Sequence, residues 1–381
     1  MKTRRRATIS DFAGLPQELI TQILLRLPAK SIGRFRCVSK PWNSLLSSPN
    51  FIKSHLTLQS IHNPQNLIII SSSDHSLFTL NFNLKSSSNS SSRRREDGVS
   101  RKLKNCRGKW NCLLGSCNGL VLVLDYKNCM FLMNPTTLEI VKVSYFSLAL
   151  DLLASFSLSG FGYDSSSDDY KFVKLECFDQ PGGGKRTLVN VYSLKTKTWR
   201  RSENSLFDHI SPRELCPGVF LNGAIHWLAT DSSTEGSPVV VFFDLSTEKF
   251  NQVVPSCFNK STGSYAYKLV VLGGYLGMVC DVIHENSQFS DHICIWLMKE
   301  YGVQESWTKL VVNMPQNAEL FKPICQFGDD EVVFMENGAK LVLHNLKEKS
   351  SMNMVVHGTP RMYYDGIMTF TESLVSPSFC S

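Results

Sequence analysis

The chain has 381 residues, of which 43% are hydrophobic, 10% are aromatic and 19% are charged, so it can bury a substantial core. This length suits about two or three domains or one large repeat array. No apolar stretch reaches membrane-spanning length, because the most apolar segments, 145–158 and 269–283, are interrupted by Asp151 and Asp281. We therefore expect neither a wholly disordered chain, nor a single small module, nor an integral membrane protein.

The N-terminal residues 1–8 form a basic tail without the hydrophobic region that a secretory signal requires. We expect the chain to lie in the cytoplasm, the nucleus or both, with its 12 cysteines as free thiols. Cys106, Cys112 and Cys117 come closest to a cluster, but they contain no Cys-x-x-Cys pair and no His follows at finger spacing. We predict no metal site and no cofactor.

The formal charge of +7 is unevenly distributed along the chain. Residues 1–109 carry 19 Lys/Arg and 5 Asp/Glu, a net of +14, whereas 110–381 carry 21 and 28, a net of −7. A basic run from Arg93 to Lys109 follows a serine-rich segment, and we interpret 86–109 as a flexible solvated insertion. The alternative is a patch for nucleic acid or an acidic partner, or an import signal. Only Trp110 offers a stacking surface beside the run, which disfavours nucleic acid.

The first elements are three short helices between Leu15 and Leu46, each with a proline near its start. Pro16 and Pro28 each suit the first helical turn, where a fixed φ is favourable and the missing N–H costs nothing. Pro41 lies in the first turn of the third helix, and Ser39 is its predicted N-cap.

The first of these helices has more apolar residues than one buried stripe requires. Six large aliphatic side chains fall within nine residues, and they cover most of the helix circumference: Leu19, Ile20, Ile23, Leu24, Leu25 and Leu27. One stripe can face the local core, and the other cannot. A module this small has too little interior for all of them, so we predict a helical docking surface. An ordinary three-helix core is the alternative.

This segment resembles an F-box. The resemblance rests on Leu15-Pro16, Arg26-Leu27-Pro28, Arg34 to Lys40, Trp42, and Ser48-Pro49-x-Phe51, among other matched positions. In that family the domain docks onto a Skp-type adaptor, which connects it to cullin and RING subunits of a ubiquitin ligase. The positions that match the motif for the F-box core and adaptor interface, and that the resemblance implies as adaptor-binding, are Leu15, Pro16, Leu19, Ile23, Leu24, Leu27, Pro28, Ile32, Phe35, Val38 and Trp42.

After a predicted linker at 57–65 the hydrophobic period becomes that of strands. A strand–polar turn–strand unit recurs at 131–143, 191–201, 241–254, 295–310 and 341–356. Its anchor positions, Asn134, Ser193, Asp244, Leu297 and Asn345, lie 59, 51, 53 and 48 residues apart, which is a propeller spacing near the kelch period.

Gly-containing turns mark further hairpins between these units. They are Asn118-Gly119, Asn222-Gly223, Gly273-Gly274 and Asn337-Gly338, dipeptides that tolerate positive φ. Two hairpins per period make a four-stranded blade. We predict an all-β propeller of about six blades, closed by pairing of 371–377 with 66–82.

This second part resembles the F-box-associated, kelch-repeat-like domain of plant F-box proteins. The similar segments include GYDSSSDDYKFVKL, GAIHWLA and FDLSTEKF. We therefore predict a multidomain chain: a basic tail at 1–8, a small all-α F-box bundle at 9–56, and a β-propeller at 66–377. We expect the two domains to have separate cores.

No catalytic motif stands out. There is no Gly-x-Ser-x-Gly and no His-Glu-x-x-His, so we predict no catalytic residues. Asp164, Asp168 and Asp169 could form a calcium loop or an acid pair, but a solvated turn is the preferred interpretation. His226, beside Trp227 on an apolar strand, is predicted to be a hydrogen-bonded core histidine.

The resemblance implies a non-catalytic substrate receptor of an SCF-type ubiquitin ligase, which binds the Skp-type adaptor and an unidentified protein substrate. The alternatives are an F-box scaffold or sequestering protein outside a ligase, a propeller that binds a ligand or glycan, and a nucleic-acid-binding protein. Substrate recognition is predicted in the loops around 164–169, 205–217, 229–238 and 284–291, because variable loops on a stiff frame carry recognition.

Overall fold

A computed structural model describes most of the chain. The described residues are 16–62, 66–82, 97–103, 108–145, 154–181, 184–211, 217–230, 238–253, 264–283, 292–315, 318, 320–328, 330–358 and 364–380. Among them, no helix is both long enough and apolar enough to cross a membrane.

Four helices come first: α1 (Gln17–Leu25), α2 (Ala29–Phe35), α3 (Lys40–Leu46) and α4 (Pro49–His62). Pro16 and Pro28 directly precede α1 and α2, as predicted. The Ser39 hydroxyl caps α3 by accepting from the Trp42 N–H at 3.3 Å. The predicted linker at 57–65 needs correction, since α4 continues through His62 and 63–65 lie outside the described residues.

The described residues after α4 form six sheets arranged as propeller blades. The first blade begins with β1 (Asn66–Ser71), β2 (Leu77–Phe82) and β3 (Asp97–Lys102). The second contains β4 (Trp110–Cys117), β5 (Leu120–Asp125), β6 (Cys129–Asn134) and β7 (Glu139–Tyr145). The third contains β8 (Phe156–Asp164), β9 (Asp169–Asp179), β10 (Lys185–Ser193) and β11 (Thr198–Arg201).

The remaining blades follow the same order. The fourth contains β12 (Asp208–His209), β13 (Val219–Leu221), β14 (Ala224–Thr230), β15 (Pro238–Asp244) and β16 (Phe250–Val253). The fifth contains β17 (Ser264–Leu272), β18 (Tyr275–Ile283), β19 (His292–Met298) and β20 (Trp307–Asn313). The sixth contains β21 (Phe321–Phe327), β22 (Glu331–Glu336), β23 (Lys340–Asn345) and β24 (Ser350–Asn353). Finally, β25 (Val355–His357) and β26 (Tyr364–Phe370) return to the first blade.

The architecture confirms the predicted helical bundle followed by a propeller of about six blades. The five recurring segments are the hairpins between the third and fourth strands of five blades. Four of the five anchor side chains accept a hydrogen bond from a backbone N–H two or three residues ahead, which fixes the turn; they are Asn134, Ser193, Asp244 and Asn345. The regular spacing of these positions therefore reflects the same side-chain-to-backbone hydrogen bond in the equivalent turn of each of these four blades.

The ring closes by pairing between the first and last strands of the propeller, but the closing strand is 364–370 and not the predicted segment 371–377. β26 is the innermost strand of the first blade and pairs antiparallel with β1, with Phe370 opposite Asn66. The predicted closing segment 371–377 is not a strand. The predicted insertion 86–109 also needs correction, because β3 pairs with β2 and, in parallel, with β25.

A hydrophobic cluster fills each of the six gaps between neighbouring blades. β1 shows how one strand serves two gaps: Ile68 and Ile70 face the second blade, whereas Leu67 and Ile69 face the sixth. Successive side chains of a strand point to opposite faces of the sheet, so a strand buried on both faces is apolar throughout.

Strand direction defines two faces of the propeller. Strands are counted outward from the innermost one, which is β26 in the first blade, and neighbours are antiparallel except for β25 and β3. First-to-second and third-to-fourth turns therefore share one end of the propeller, whereas second-to-third turns, including that from β1 to β2, and the connections between blades share the other. We call the first the proximal face; it includes Asn118-Gly119 and the turn after Asn134. We call the second the distal face; it includes the turn from Asp125 to Asn128. The helical bundle reaches the propeller at the proximal end of β1.

Candidate functional site: a helical docking surface and a distal recognition face

The two apolar stripes predicted for α1 have different environments. Ile20 and Leu24, four residues apart, are buried in the core of the bundle. Leu19 and Ile23 occupy the neighbouring stripe and are 52% and 54% exposed. Residues four apart lie on the same side of a helix, so Leu19 and Ile23 form a continuous apolar strip. Sequence counting predicted this surplus, and the structure leaves it uncovered.

The structure separates the predicted adaptor-binding residues into classes. Those exposed are Pro16, Leu19, Ile23, Pro28 and Val38, the last with 62% exposure. Those half-buried are Leu27, Phe35 and Trp42. Leu15 lies outside the described residues.

Leu24 and Ile32 need correction as contact residues. Both are buried in the core of the bundle. A side chain at the centre of a packed core cannot reach a partner without opening the domain, so these two positions act by supporting the bundle. Motif matching cannot separate them from contact residues, because the F-box pattern records both kinds of apolar position.

The half-buried aromatic residues connect α2 to α3. Phe35 and Trp42 pack edge to face with ring centroids 5.5 Å apart. The Arg36 guanidinium donates to the Leu46 carbonyl at 2.9 Å, which satisfies the C-terminal end of α3. These contacts hold Val38, between the two helices, at the surface.

His55 is a buried residue of the bundle that sequence reasoning missed. Its Nε2 lies 2.8 Å from the Leu27 carbonyl oxygen, and Gln59 donates to the same oxygen at 3.3 Å. The two side chains join α4 to the turn after α1. Burial lowers the pKa of His55 below its ordinary value, outweighing the opposing effect of the Leu27 hydrogen bond. A lone His in an amphipathic helix carries no sequence signal for this role.

The C-terminal segment 371–377, which we call the strap, runs from β26 to the helical bundle. Leu374 is buried among the bundle's own aliphatic residues. The expectation of separate cores is therefore wrong: the residues that follow the closing strand complete the core of the first domain. Lys30 and Glu372 also form an ion pair across the junction at 2.5 Å.

Asn134 and Gly119 of the second blade hold the strap from beneath. The Asn134 side-chain amide donates to the carbonyl oxygens of Ser373 at 3.0 Å and Val375 at 2.7 Å. Gly119 has φ of +77°, and a Cβ there would lie 2.6 Å from the Thr371 carbonyl oxygen. Only glycine meets both the turn geometry and the close approach.

The strand ends that flank three of the four predicted recognition loops lie on the distal face. These loops are 205–217, 229–238 and 284–291, which connect strands around the third to fifth blades. Leu206 is 97% exposed in the first of them. The fourth loop, 164–169, joins β8 to β9 and lies on the proximal face. Residues 212–216, 231–237 and 284–291 lie outside the described residues.

The loop at 164–169 is the predicted inter-strand turn, exposed at 165–168, but the two aspartates at its ends are not solvated. Asp164 and Asp169 are buried, and the Lys171 ammonium bridges Asp164 and Glu248 at 2.9 Å each. Burial alone would raise the pKa of Asp164, but hydrogen bonds from Ser167, Lys171 and Ser166 outweigh it and keep the pKa below its ordinary value. Asp164 and Glu248, which share Lys171, therefore stabilise the junction between the third and fourth blades.

His226 is confirmed as a hydrogen-bonded core histidine. Its Nδ1 lies 2.9 Å from the Val219 carbonyl oxygen and its Nε2 lies 2.8 Å from the Tyr301 hydroxyl. Burial lowers the pKa of His226 to about 4. The imidazole is therefore neutral at physiological pH, and both ring nitrogens are occupied.

Two family models match the chain. The F-box domain model matches residues 12–54, and the F-box associated beta propeller domain model matches residues 68–381. The chain belongs to the family of F-box proteins with an associated β-propeller. F-box protein CPR1 from Arabidopsis thaliana is 30% identical over 375 residues, which cover 92% of this chain and 86% of that protein. F-box/kelch-repeat protein At3g23880 from Arabidopsis thaliana is 30% identical over 346 residues, which cover 87% of each chain.

The family membership agrees with the division of this F-box protein into two parts. An F-box joined to a propeller is the architecture of an F-box substrate-recognition protein, and such family members are typically non-catalytic. Within the described ranges, no group of three or more His, Cys, Asp or Glu side chains is arranged to hold a metal ion.

Proposed function

We propose that this F-box protein is the substrate-recognition subunit of an SCF-type ubiquitin ligase. Its F-box would bind a Skp-type adaptor, and through it the cullin and RING subunits, while the propeller binds a protein substrate. The observation that carries the proposal is the exposed strip of Leu19 and Ile23 beside a complete core. The proposal places the complex in the cytoplasm, the nucleus or both.

Burial energetics support a partner for this strip. Covering a large aliphatic side chain is worth roughly 1.5–3 kcal/mol, and the bundle leaves Leu19 and Ile23 uncovered although its interior is filled. Pro16 extends the strip by one helical turn, and Val38 adds an exposed apolar side chain after α2. Together with the half-buried Leu27, Phe35 and Trp42, these residues are the proposed adaptor contacts, to which the sequence motif adds Leu15.

In this role the chain would position a substrate and would not itself carry out acid–base chemistry. A ligase receptor raises the rate of ubiquitin transfer by holding a substrate lysine close to a charged conjugating enzyme. The strap suits that role, because Leu374 and the Lys30–Glu372 pair fix the bundle against the propeller. A rigid connection keeps a substrate on the distal face at a defined distance from the adaptor.

Co-purification with a plant Skp-type adaptor tests the proposal. The native chain is expected to form a complex at micromolar concentration, and Leu19→Ser with Ile23→Ser is expected to abolish it while the thermal unfolding temperature stays nearly unchanged. Leu206→Ser is the matched control, since Leu206 is exposed on the distal face and its replacement should leave capture intact. Failure of the native chain to bind the adaptor contradicts the proposal.

A second measurement separates a ligase receptor from an F-box scaffold acting outside a ligase. Cullin recovered with the chain and adaptor, together with a shorter half-life of co-captured proteins, supports the receptor. Adaptor binding that excludes cullin supports the scaffold.

A further inference from the structure

The distal face carries a basic patch at the first and second blades that the adaptor-binding role does not use. We call Lys102, Lys109, Tyr126 and Lys127, together with His75 beside Tyr126, the basic patch. Among the described residues of 101–109, Arg101, Lys102 and Lys109 are basic and none is acidic. Tyr126 and Lys127 lie at the tip of the turn between β5 and β6, and Lys109 directly precedes β4.

Hydrogen bonds fix the geometry of the basic patch. The Tyr126 N–H donates to the Lys109 carbonyl at 3.3 Å, so these two residues are neighbours. The Asp125 carboxylate accepts from the N–H groups of Lys127 and Cys129 at 2.8 Å each, which caps the turn. The tip is therefore held in one conformation by its own backbone contacts.

Tyr126 gives the basic patch an apolar centre. Its side chain is 52% exposed, and its hydroxyl lies 3.0 Å from His75 Nδ1. The two rings are 4.8 Å apart and pack edge to face. An exposed aromatic ring that is already oriented loses little conformational entropy when a partner covers it.

The charges around Tyr126 are partly uncompensated. Lys102 pairs with Asp74 at 2.7 Å, whereas neither Lys109 nor Lys127 has an acidic side chain within 4.0 Å among the described residues. Two ammonium groups that lack an acidic partner within the described part of the chain, beside one exposed ring, complement a peptide that carries carboxylates next to an apolar side chain.

We propose that the basic patch binds an acidic peptide segment of the protein substrate. This inference rests on the proposed function and deepens it by naming a substrate class. The basic patch lies on the face opposite the helical bundle, so a bound substrate and a bound adaptor do not compete.

The composition of the basic patch favours a peptide over nucleic acid. Single-stranded nucleic acid is bound by cations that follow a phosphate backbone past several stacking rings. In the basic patch the exposed carboxylate of Asp74 lies beside Lys102 and would repel a phosphate backbone. Among the described residues of the basic patch, Tyr126 is the one large exposed ring, so a row of stacking rings is lacking there. The ammonium group of a lysine is a compact point charge, so separate lysines can pair with carboxylates spaced along a peptide.

Fluorescence anisotropy with the full chain tests the inference. One probe is a fluorescein-labelled peptide of about a dozen residues, rich in Asp and Glu around a central Leu, and the other has Asn and Gln in place of the acids. The acidic probe is expected to bind at least about tenfold more tightly, with an advantage that shrinks as salt rises. The combined change Lys109→Glu and Lys127→Glu is expected to weaken it about tenfold or more, and Tyr126→Ala by a smaller factor.

The matched control is Lys347→Glu with Lys349→Glu. These two exposed lysines lie in a proximal turn of the sixth blade, and their replacement changes net charge by the same amount. The turn position of Lys349, with φ of 53°, is occupied in the fourth blade by Glu248, with φ of 56°. A glutamate is therefore compatible with the backbone of this turn. The control is expected to retain peptide binding.

Three results overturn the inference: equal binding of the two peptides, unchanged binding by K109E/K127E, or tighter binding of a labelled oligouridine that the same variant abolishes. Adaptor capture is measured for every variant and should survive in K109E/K127E. Loss of acidic-peptide selectivity with adaptor capture intact counts against this inference alone. Absence of adaptor capture in the native chain counts against the proposed function, and the peptide result can still be assessed separately.

Discussion

Asn134 donates its side-chain amide to the carbonyl oxygen of Val375 at 2.7 Å, and so joins residues 241 positions apart. The same side chain accepts the Thr136 N–H through Oδ1 at 2.7 Å. One amide thus closes a turn of the second blade and secures the strap. Because Leu374 of the strap is buried in the helical bundle, we expect the F-box and the propeller to unfold together.

Replacement of Leu374 by Ala should destabilise the helical bundle. The side chain is buried with Ile20, Leu24 and Ile32, and truncating such a core leucine costs about 2–5 kcal/mol. We expect a lower urea midpoint and weaker adaptor capture, although Leu374 lies outside the exposed strip. Leu206→Ala is the control and should change stability by less than about 0.5 kcal/mol. Equal stability of the two variants contradicts the shared core.

Substitutions at Asn134 and Asn345 separate the contribution of the turn to stability from that of the strap. Both accept backbone N–H groups in equivalent turns, but Asn134 also donates to the strap. Asn345→Ala should cost about 1 kcal/mol, whereas Asn134→Ala should cost about 2–4 kcal/mol because buried carbonyls lose their donor. Asn134→Asp keeps the turn acceptor but turns a buried carboxylate oxygen toward two carbonyl oxygens, so it should cost at least as much as Asn134→Ala. Urea unfolding decides, and equal losses at Asn134 and Asn345 argue against a strap contribution.

The free energy of unfolding should fall as pH decreases from about 6.5 to about 4. Burial lowers the folded-state pKa of both His209 and His226 to about 4, below the ordinary value of 6.5. Between these values the unfolded chain binds more protons, so stability rises with pH and is lost on acidification. Each histidine can contribute up to about 3 kcal/mol.

Urea unfolding at several pH values between 4.5 and 7 measures this slope. A variant with His209→Asn and His226→Gln should be less stable at pH 7 but should show a shallower dependence on pH. Identical slopes in the variant and the native chain would assign the pH dependence to other groups.

Lys171→Met should strongly destabilise the junction of the third and fourth blades. It removes the cation that Asp164 and Glu248 share, and it leaves the buried Asp164 carboxylate without its charged partner. Breaking a buried ion pair in this way typically costs about 3–5 kcal/mol. Lys340→Met, in an exposed pair with Glu336, is the control and should cost less than about 1 kcal/mol. A small effect at Lys171 means that water or a rearranged side chain replaces its charge.

Features set by local chemistry could be predicted from the sequence. Pro16, Pro28 and Ser39 specify the helix starts, because each acts within one turn of its own backbone. The Asn-Gly turns and the spaced anchors specify the blades for the same reason. The surplus on α1 could be counted because Leu19 and Ile23 exceed what one buried stripe holds.

Features set by distant pairing could not be predicted. Leu374 looks like any apolar residue of a loop, and nothing near it in the sequence indicates that its neighbours lie more than 300 positions earlier. Asp164 looks solvated beside three serines, because the Lys171–Glu248 contact beside it involves the fourth blade. A usable signal existed in Lys171, Lys174 and Glu176, which are charged residues that alternate with apolar residues in the interior of a long strand.

The strap imposes an order on synthesis. A ribosome makes the helices more than 300 residues before Leu374, so the helical bundle lacks a piece of its interior until the propeller strands have been synthesised. A truncated product that ends before position 371 would carry the whole F-box motif but would lack a residue of the core that supports it.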